Sequence, residues 1–297
     1  MAKGNSAGRR FIHLLEGTGA FALYGFFRVL PVAWGSGLAG FLARNIGPHL
    51  GIHRRAQENL RRAMPELDDA EVERILRGMW DNLGRVIAEY AHLDKFHVYE
   101  PGGRIEIVDA HHIRDRGRDA LGTIFVSAHF GNWEVLTLSA TQAGLKVAEI
   151  YRPADNPVVD RLIGYARRAM GSELVPKGTS AARRAVAAIK EGRHIAMLVD
   201  QKMTEGLAVP FFGREAMTAP ALARLALRYG SPVVAVRVER LPRARFRIIA
   251  EPPIPYERTG DSERDTLALL TRVNAVLERW IRAKPDHWIW VHRRWPD

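Results

Sequence analysis

A histidine and a glutamate with four residues between them stand in the stretch 123–134, which reads TIFVSAHFGNWE. Neutral imidazole is an effective general base near pH 7 when it is held in the right tautomer. A carboxylate on one ring nitrogen fixes that tautomer and stabilises the imidazolium once it forms. His129 and Glu134 therefore suit the base and orienter of a catalytic triad without its protein nucleophile, the attacking group being a hydroxyl of the substrate. The elements needed to place them are legible in the same stretch. Residues 123–127 form an apolar, β-branched run that predicts a buried strand. Gly131 permits a tight turn, and Asn132 is a good N-cap for the apolar segment after it. This puts His129 at the carboxyl end of a strand, where ligands bind in open α/β sheets. Glu134 falls in the first turn of the next helix. Their spacing is wrong for two groups on one helix face, but across a strand-to-helix turn the carboxylate can fold back onto the imidazole.

Later stretches repeat this arrangement. Tyr151-Arg152-Pro153 follows an apolar strand, and Arg167 and Arg168 lie on the next predicted helix. Asp200-Gln201-Lys202 closes the run 195–199, and the VPFFG stretch 209–213 follows it. A guanidinium forks onto two oxygens of a phosphate or carboxylate. Asp200 suits holding one of these arginines or a substrate hydroxyl, and 209–213 is expected to line an apolar slot for a chain.

The supporting pattern is α/β. Strands are predicted at 105–108, 123–127, 146–151, 194–199, 233–239 and 246–250, and helices at 132–143, 157–170, 180–191, 219–228 and 264–283. Strands alternating with helices imply a mostly parallel sheet covered by helices. Before it, 11–43 is apolar but interrupted by Arg28 and Pro31, with basic residues at both ends (Lys3, Arg9, Arg10, Arg44, Arg54, Arg55). That pattern is poor for a spanning helix or a signal peptide. It predicts two helices broken near Pro31 that associate with a membrane interface. The expected division is residues 1–50 as membrane-associated helices and 51–297 as the catalytic domain. Gly35 to Gly40 match a dinucleotide fingerprint by letters only; with no strand before them they read as small-residue helix packing.

The chain has 297 residues, a formal charge of +11 and no cysteine. Disulfides, thiolate catalysis and Cys-ligated zinc are excluded, and no histidine cluster has metal-ligand spacing. The charge suits acidic partners, whether anionic lipid, an acidic protein or nucleic acid. No nucleic-acid-binding module is recognisable, so nucleic acid is not expected. The terminal stretch 288–295, WIWVHRRW, fits either an interfacial aromatic belt or indoles that cover the core.

Taken together, the 127–134 block, Tyr151-Arg152-Pro153, Asp200-Gln201, 209–213 and 288–295 resemble, in order, the landmarks of the lipid A biosynthesis acyltransferases. This is the lauroyl/myristoyl branch of the lysophospholipid acyltransferase superfamily. The resemblance implies an O-acyltransferase of the bacterial inner membrane with its active site on the cytoplasmic side. It would move a fatty acyl group from acyl carrier protein to the hydroxyl of an acyl chain on a lipid A precursor, beside anionic inner-membrane lipid. Another glycolipid, an ornithine lipid or a lysophospholipid is the alternative acceptor. The resemblance makes His129 and Glu134 catalytic and assigns Arg152, Arg167, Asp200, Gln201 and Asn132 to substrate binding. Backbone N–H groups near 131–133 would serve an oxyanion, and no metal or cofactor is implied.

Overall fold

The structure is a computed structural model that describes residues 6–118 and 121–296; Lys3 lies outside them. Two helices open the chain, α1 (Ser6–Val29) and α2 (Val32–Ile46). They break at Pro31, which fits the start of α2 because the first turn has no use for its missing N–H. Helices α3 (His53–Ala63) and α4 (Asp69–Glu89) follow. α4 is fixed at its start by a capping box in which Asp68 accepts from the Glu71 N–H and Glu71 reaches back to Asp68. α2 lies close along α4, and Gly84 makes this possible: a Cβ there would lie 2.3 Å from Ala39 O. Gly35 and Gly40 lie on α2 in the same packing role, against Phe27 and against Asp81 and Arg85. No helix among the described residues is long and apolar enough to cross a membrane. α1 and α2 nonetheless leave Phe11, Leu14, Leu15, Phe21, Trp34 and Phe41 exposed.

The remainder is α/β. In chain order it contains β1 (Ile105–Val108), α5 (His111–Arg114), β2 (Ile124–Ser127), α6 (Leu136–Thr141), β3 (Val147–Tyr151), α7 (Pro157–Arg167) and β4 (Glu173–Pro176). Then come α8 (Thr179–Lys190), β5 (His194–Leu198), β6 (Leu207–Phe211), β7 (Arg214–Thr218), α9 (Ala221–Tyr229), β8 (Val233–Leu241), β9 (Arg245–Ala250) and α10 (Ser262–Ala283). Seven strands form one sheet in the order β1-β9-β8-β2-β5-β3-β4. Every adjacent pair is parallel except β8 and β9. Strand side chains alternate between the faces. Val126, Ala148 and Ile195 pack with α8, α9 and α10 on one face. Phe125, Val147 and Val234 pack with α6 and the end of α7 on the other.

Three expectations are corrected. The helix predicted over 132–143 is a 3-10 turn at Trp133–Val135 followed by the short α6, because Asn132 caps the Glu134 N–H and the chain bends before it can wind. β4 was not foreseen; it is a short edge strand with a charged residue and no alternation. The 209–213 stretch is not a slot wall. It forms the β6–β7 hairpin, whose turn residues Phe212 and Gly213 both have positive φ, as a type I′ turn requires. Phe211 and Phe212 are buried against Trp288, Trp290 and Trp295, so the terminal indoles belong to the core.

Candidate active site

Strand register builds this site. β2 and β5 are parallel neighbours with Ser127 opposite Leu198. Two residues further on, His129 stands opposite Asp200, at the carboxyl edge of the sheet. The His129 Nδ1 lies 2.8 Å from Asp200 Oδ1, and the His129 backbone N–H donates to Oδ2 at 2.9 Å. Trp288 Nε1 donates to Oδ2 as well, at 2.8 Å. Asp200 is wholly buried. Burial works to raise its carboxyl, but the charge and hydrogen bonds of His129 outweigh that and hold it well below the usual carboxylate range. A fixed anion on Nδ1 leaves Nε2 as the nitrogen that can take a proton. The Gln201 side-chain amide lies 3.4 Å from Nε2.

Glu134 is therefore not where the sequence put it. Its carboxylate turns away from the imidazole to a two-pronged ion pair with Arg167, Nε to Oε2 at 2.9 Å and Nη2 to Oε1 at 2.8 Å. Trp133 Nε1 adds a third bond at 2.8 Å. Arg167 is shared with Glu149, 3.5 Å from Nη1, and its guanidinium lies over the Tyr151 ring. Burial raises the Glu149 carboxyl despite Arg167, whereas in Glu134 the Arg167 charge prevails and the pKa falls. Arg152 is exposed at the cavity rim, 3.5 Å from Asp155. Asn132 is buried; its side chain caps Glu134 and donates to Glu89 Oε2 at 2.7 Å. The Gly131 N–H donates to His287 O at 2.9 Å, so the candidate oxyanion donors narrow to the N–H groups of Asn132 and Trp133.

Gly131 has φ +59, and a Cβ on it would lie 2.1 Å from Val238 O. Gly131→Ala combines left-handed strain of about 1–2 kcal/mol with that clash. It is expected to lower Tm by at least about 4 °C and to reduce activity with it, as a thermal melt and a rate assay on the same sample would show.

His129, Trp133, Glu134, Gln201 and Arg167 open onto a cavity of about 880 Å³ whose walls are otherwise mostly apolar. A half-buried imidazole on a buried carboxylate stands at the rim of an apolar cavity. The Ser127 hydroxyl lines the same cavity but donates to Ala128 O, and among the described residues no hydroxyl is bonded to the imidazole. This arrangement suits activation of a hydroxyl on a substrate that carries a chain.

The family model for bacterial lipid A biosynthesis acyltransferases matches residues 10–297. The chain belongs to this family. It is 27% identical to the lipid A biosynthesis lauroyltransferase of Escherichia coli K12 over 82% of this chain and 77% of that one. To the lipid A biosynthesis myristoyltransferase of the same organism it is 24% identical, over 80% and 73%. Among solved structures, the 1-acyl-sn-glycerophosphate acyltransferase PlsC from Thermotoga maritima aligns at 14% identity with a TM-score of 0.39. It covers 85% of this chain and 98% of that one, a likeness too loose to bear on the site.

The acyltransferase supports its site with residues that motif reading missed. The 288–295 stretch runs beneath it: Phe130 bridges to Trp288, and His292 packs its ring against His129 at 4.9 Å between centroids. Arg294 is buried and bonded to Met217 O, Thr218 Oγ1 and Asn274 Oδ1. Burial lowers it to about 10. On the other side, Glu89 at the end of α4 is fully buried and gathers Ser36 of α2, Asn132 of the turn and the Arg240 guanidinium. The density of Trp and Arg in 288–295, and its place among the family landmarks, were the signals for the tail; nothing in the sequence marked Glu89.

Burial, and then the charge of His129, lower His292 to about 4 from 6.5. The unfolded chain therefore takes up this proton first as pH falls. His292 lowers stability progressively from about pH 6.5 to about pH 4 and has no such effect above that window. The Tm advantage of the wild type over His292→Leu is expected to narrow across that range, with a difference of roughly 1–3 kcal/mol.

Proposed function

We propose that this acyltransferase moves a fatty acyl group from the thioester of acyl carrier protein to the hydroxyl of an acyl chain already on a lipid A precursor. His129 Nε2 removes the hydroxyl proton as the oxygen attacks the thioester carbonyl. The new C–O bond forms, the C–S bond breaks, and the imidazolium returns the proton to the departing sulfur. Asp200 holds Nδ1–H and stabilises the imidazolium. The backbone N–H groups of Asn132 and Trp133 are suited to the oxyanion. Glu134 and Arg167 hold the turn that carries His129, and Arg152 at the rim suits the phosphates of either substrate.

The observation that carries this reading is the 2.8 Å contact between His129 and Asp200 at the rim of the apolar cavity. The charge of +11 supports acidic partners such as a carrier protein, a phosphorylated glycolipid and anionic lipid. The exposed apolar side chains of α1 and α2, flanked by arginines, support helices lying in the interface of the inner membrane with the site on its cytoplasmic side. Mass spectrometry of lipid A from cells with and without the protein tests the reaction. Loss of one secondary acyl mass, restored by the wild type, is expected; an unchanged profile would overturn the reading.

A further inference from the structure

The cavity's lining falls into two sets of residues on opposite faces of the sheet, which makes it a fork of two arms. Val126, Met197 and Val199 line one arm from the sheet, facing Val186 of α8 and Leu222 and Leu225 of α9. The other arm is lined by Phe125, Ala196 and Leu198, facing Leu136 and Ala140 of α6. β2 and β5 are hydrogen-bonded neighbours between the two sets, so the arms can meet only past the strand ends, where His129 stands.

The arms differ in chemistry and in neighbours. Along the α8/α9 arm the wall is apolar, and its outer rim carries exposed Lys177, Arg224 and Arg228, none in an ion pair among the described residues. The α6 arm has a polar shelf formed by Thr137, Glu149 and Arg167. Its flank, α7, packs against α1: Tyr24 meets Tyr165 edge-on, and Asn156 donates to His13 O. α1 is one of the two helices that expose apolar side chains.

We propose that the fork holds the two acyl chains of a single transfer. The donor chain occupies the α8/α9 arm, and the tail of the acceptor's hydroxyacyl chain occupies the α6 arm. This rests on the function proposed above, whose product has two chains diverging from one new ester. A single tunnel seats one chain; a fork with the base at its junction seats both while the hydroxyl oxygen reaches the thioester carbonyl. The cationic rim places the acidic donor protein on the α8/α9 side. The apolar surface of α1 places the lipid acceptor on the α6 side.

Val186 and Leu136 are half-buried lining residues, so larger side chains narrow each arm separately. With the purified enzyme, acyl carrier proteins bearing chains of graded length and a lipid A precursor, Val186→Phe is expected to lower kcat/KM for the longest donors by at least about tenfold with acceptor KM unchanged. Leu136→Trp is expected to raise acceptor KM by at least about tenfold with the donor profile unchanged. The wild type, photolysed with a donor bearing a diazirine at the chain end, is expected to be labelled on α8 or α9; a precursor with a diazirine on its hydroxyacyl tail is expected to label α6. If both variants shift the donor profile, or if the donor probe labels α6, the assignment is overturned. Labelling needs no folded variant and no turnover. Failure of the wild type to transfer any acyl group to the precursor would instead count against the reaction.

Discussion

Asp200→Asn is expected to reduce kcat by about 10³–10⁴-fold with little change in KM, by analogy with the loss of an orienting carboxylate from a triad. The asparagine can keep two of the three bonds Asp200 makes, with its carbonyl oxygen accepting from the His129 N–H and from Trp288 Nε1. Its amide then faces His129 Nδ1 as a donor. That selects the tautomer with the proton on Nε2, the nitrogen that must be bare to act as base. The fold is retained, so Tm changes by only a few degrees. Steady-state rates and a thermal melt on the same preparation check both halves, and a rate within tenfold of wild type would show that Asp200 does not set the tautomer. Glu134→Gln is the contrasting change. It weakens the bond to Arg167 and loosens the turn, so its loss of activity comes with a loss of Tm.

Arg167→Ala is expected to destabilise the protein by about 3–5 kcal/mol, because it leaves a buried charge without its partner. Two carboxylates face Arg167, Glu134 with two hydrogen bonds and Glu149 at 3.5 Å, and both sit at low exposure. With the guanidinium gone, burial and mutual repulsion raise both carboxyls above their unfolded values. The folded variant then binds protons more tightly than its unfolded chain, so stability lost near neutral pH returns as pH falls through the raised pKa values. Melting curves at pH 5 and pH 8 read this directly: the gap between wild type and Arg167→Ala is expected to be smaller at pH 5. An equal gap at both would mean that the carboxylates are not what the arginine neutralises.

The position of His129 was legible because the information is local: a β-branched run, a glycine and a capping asparagine follow each other within a dozen residues. The partner of His129 was not, because it depends on strand order. β5 lies beside β2 although β3, β4 and three helices intervene in the chain, and no periodicity encodes that neighbour. Sequence proximity favoured Glu134, but the 3-10 turn after Asn132 swings its side chain toward α7 and Arg167. Asp200 and Arg167 were both recognised as functional candidates, but with different partners from those they have. The break at Pro31 was readable from proline chemistry. The Trp-rich tail was not assignable, since its indoles acquire meaning only through Phe211, Asp200 and Phe130 on distant elements.

Transfer of a labelled acyl group from acyl carrier protein to a lipid A precursor by wild-type and His129→Ala enzymes, matched by their melting curves, tests the assignment of His129 as the base most directly. The expected result is a fall in kcat of at least about 10⁴-fold in a variant that melts within a few degrees of the wild type. A folded His129→Ala enzyme that turns over within tenfold of the wild type would contradict it.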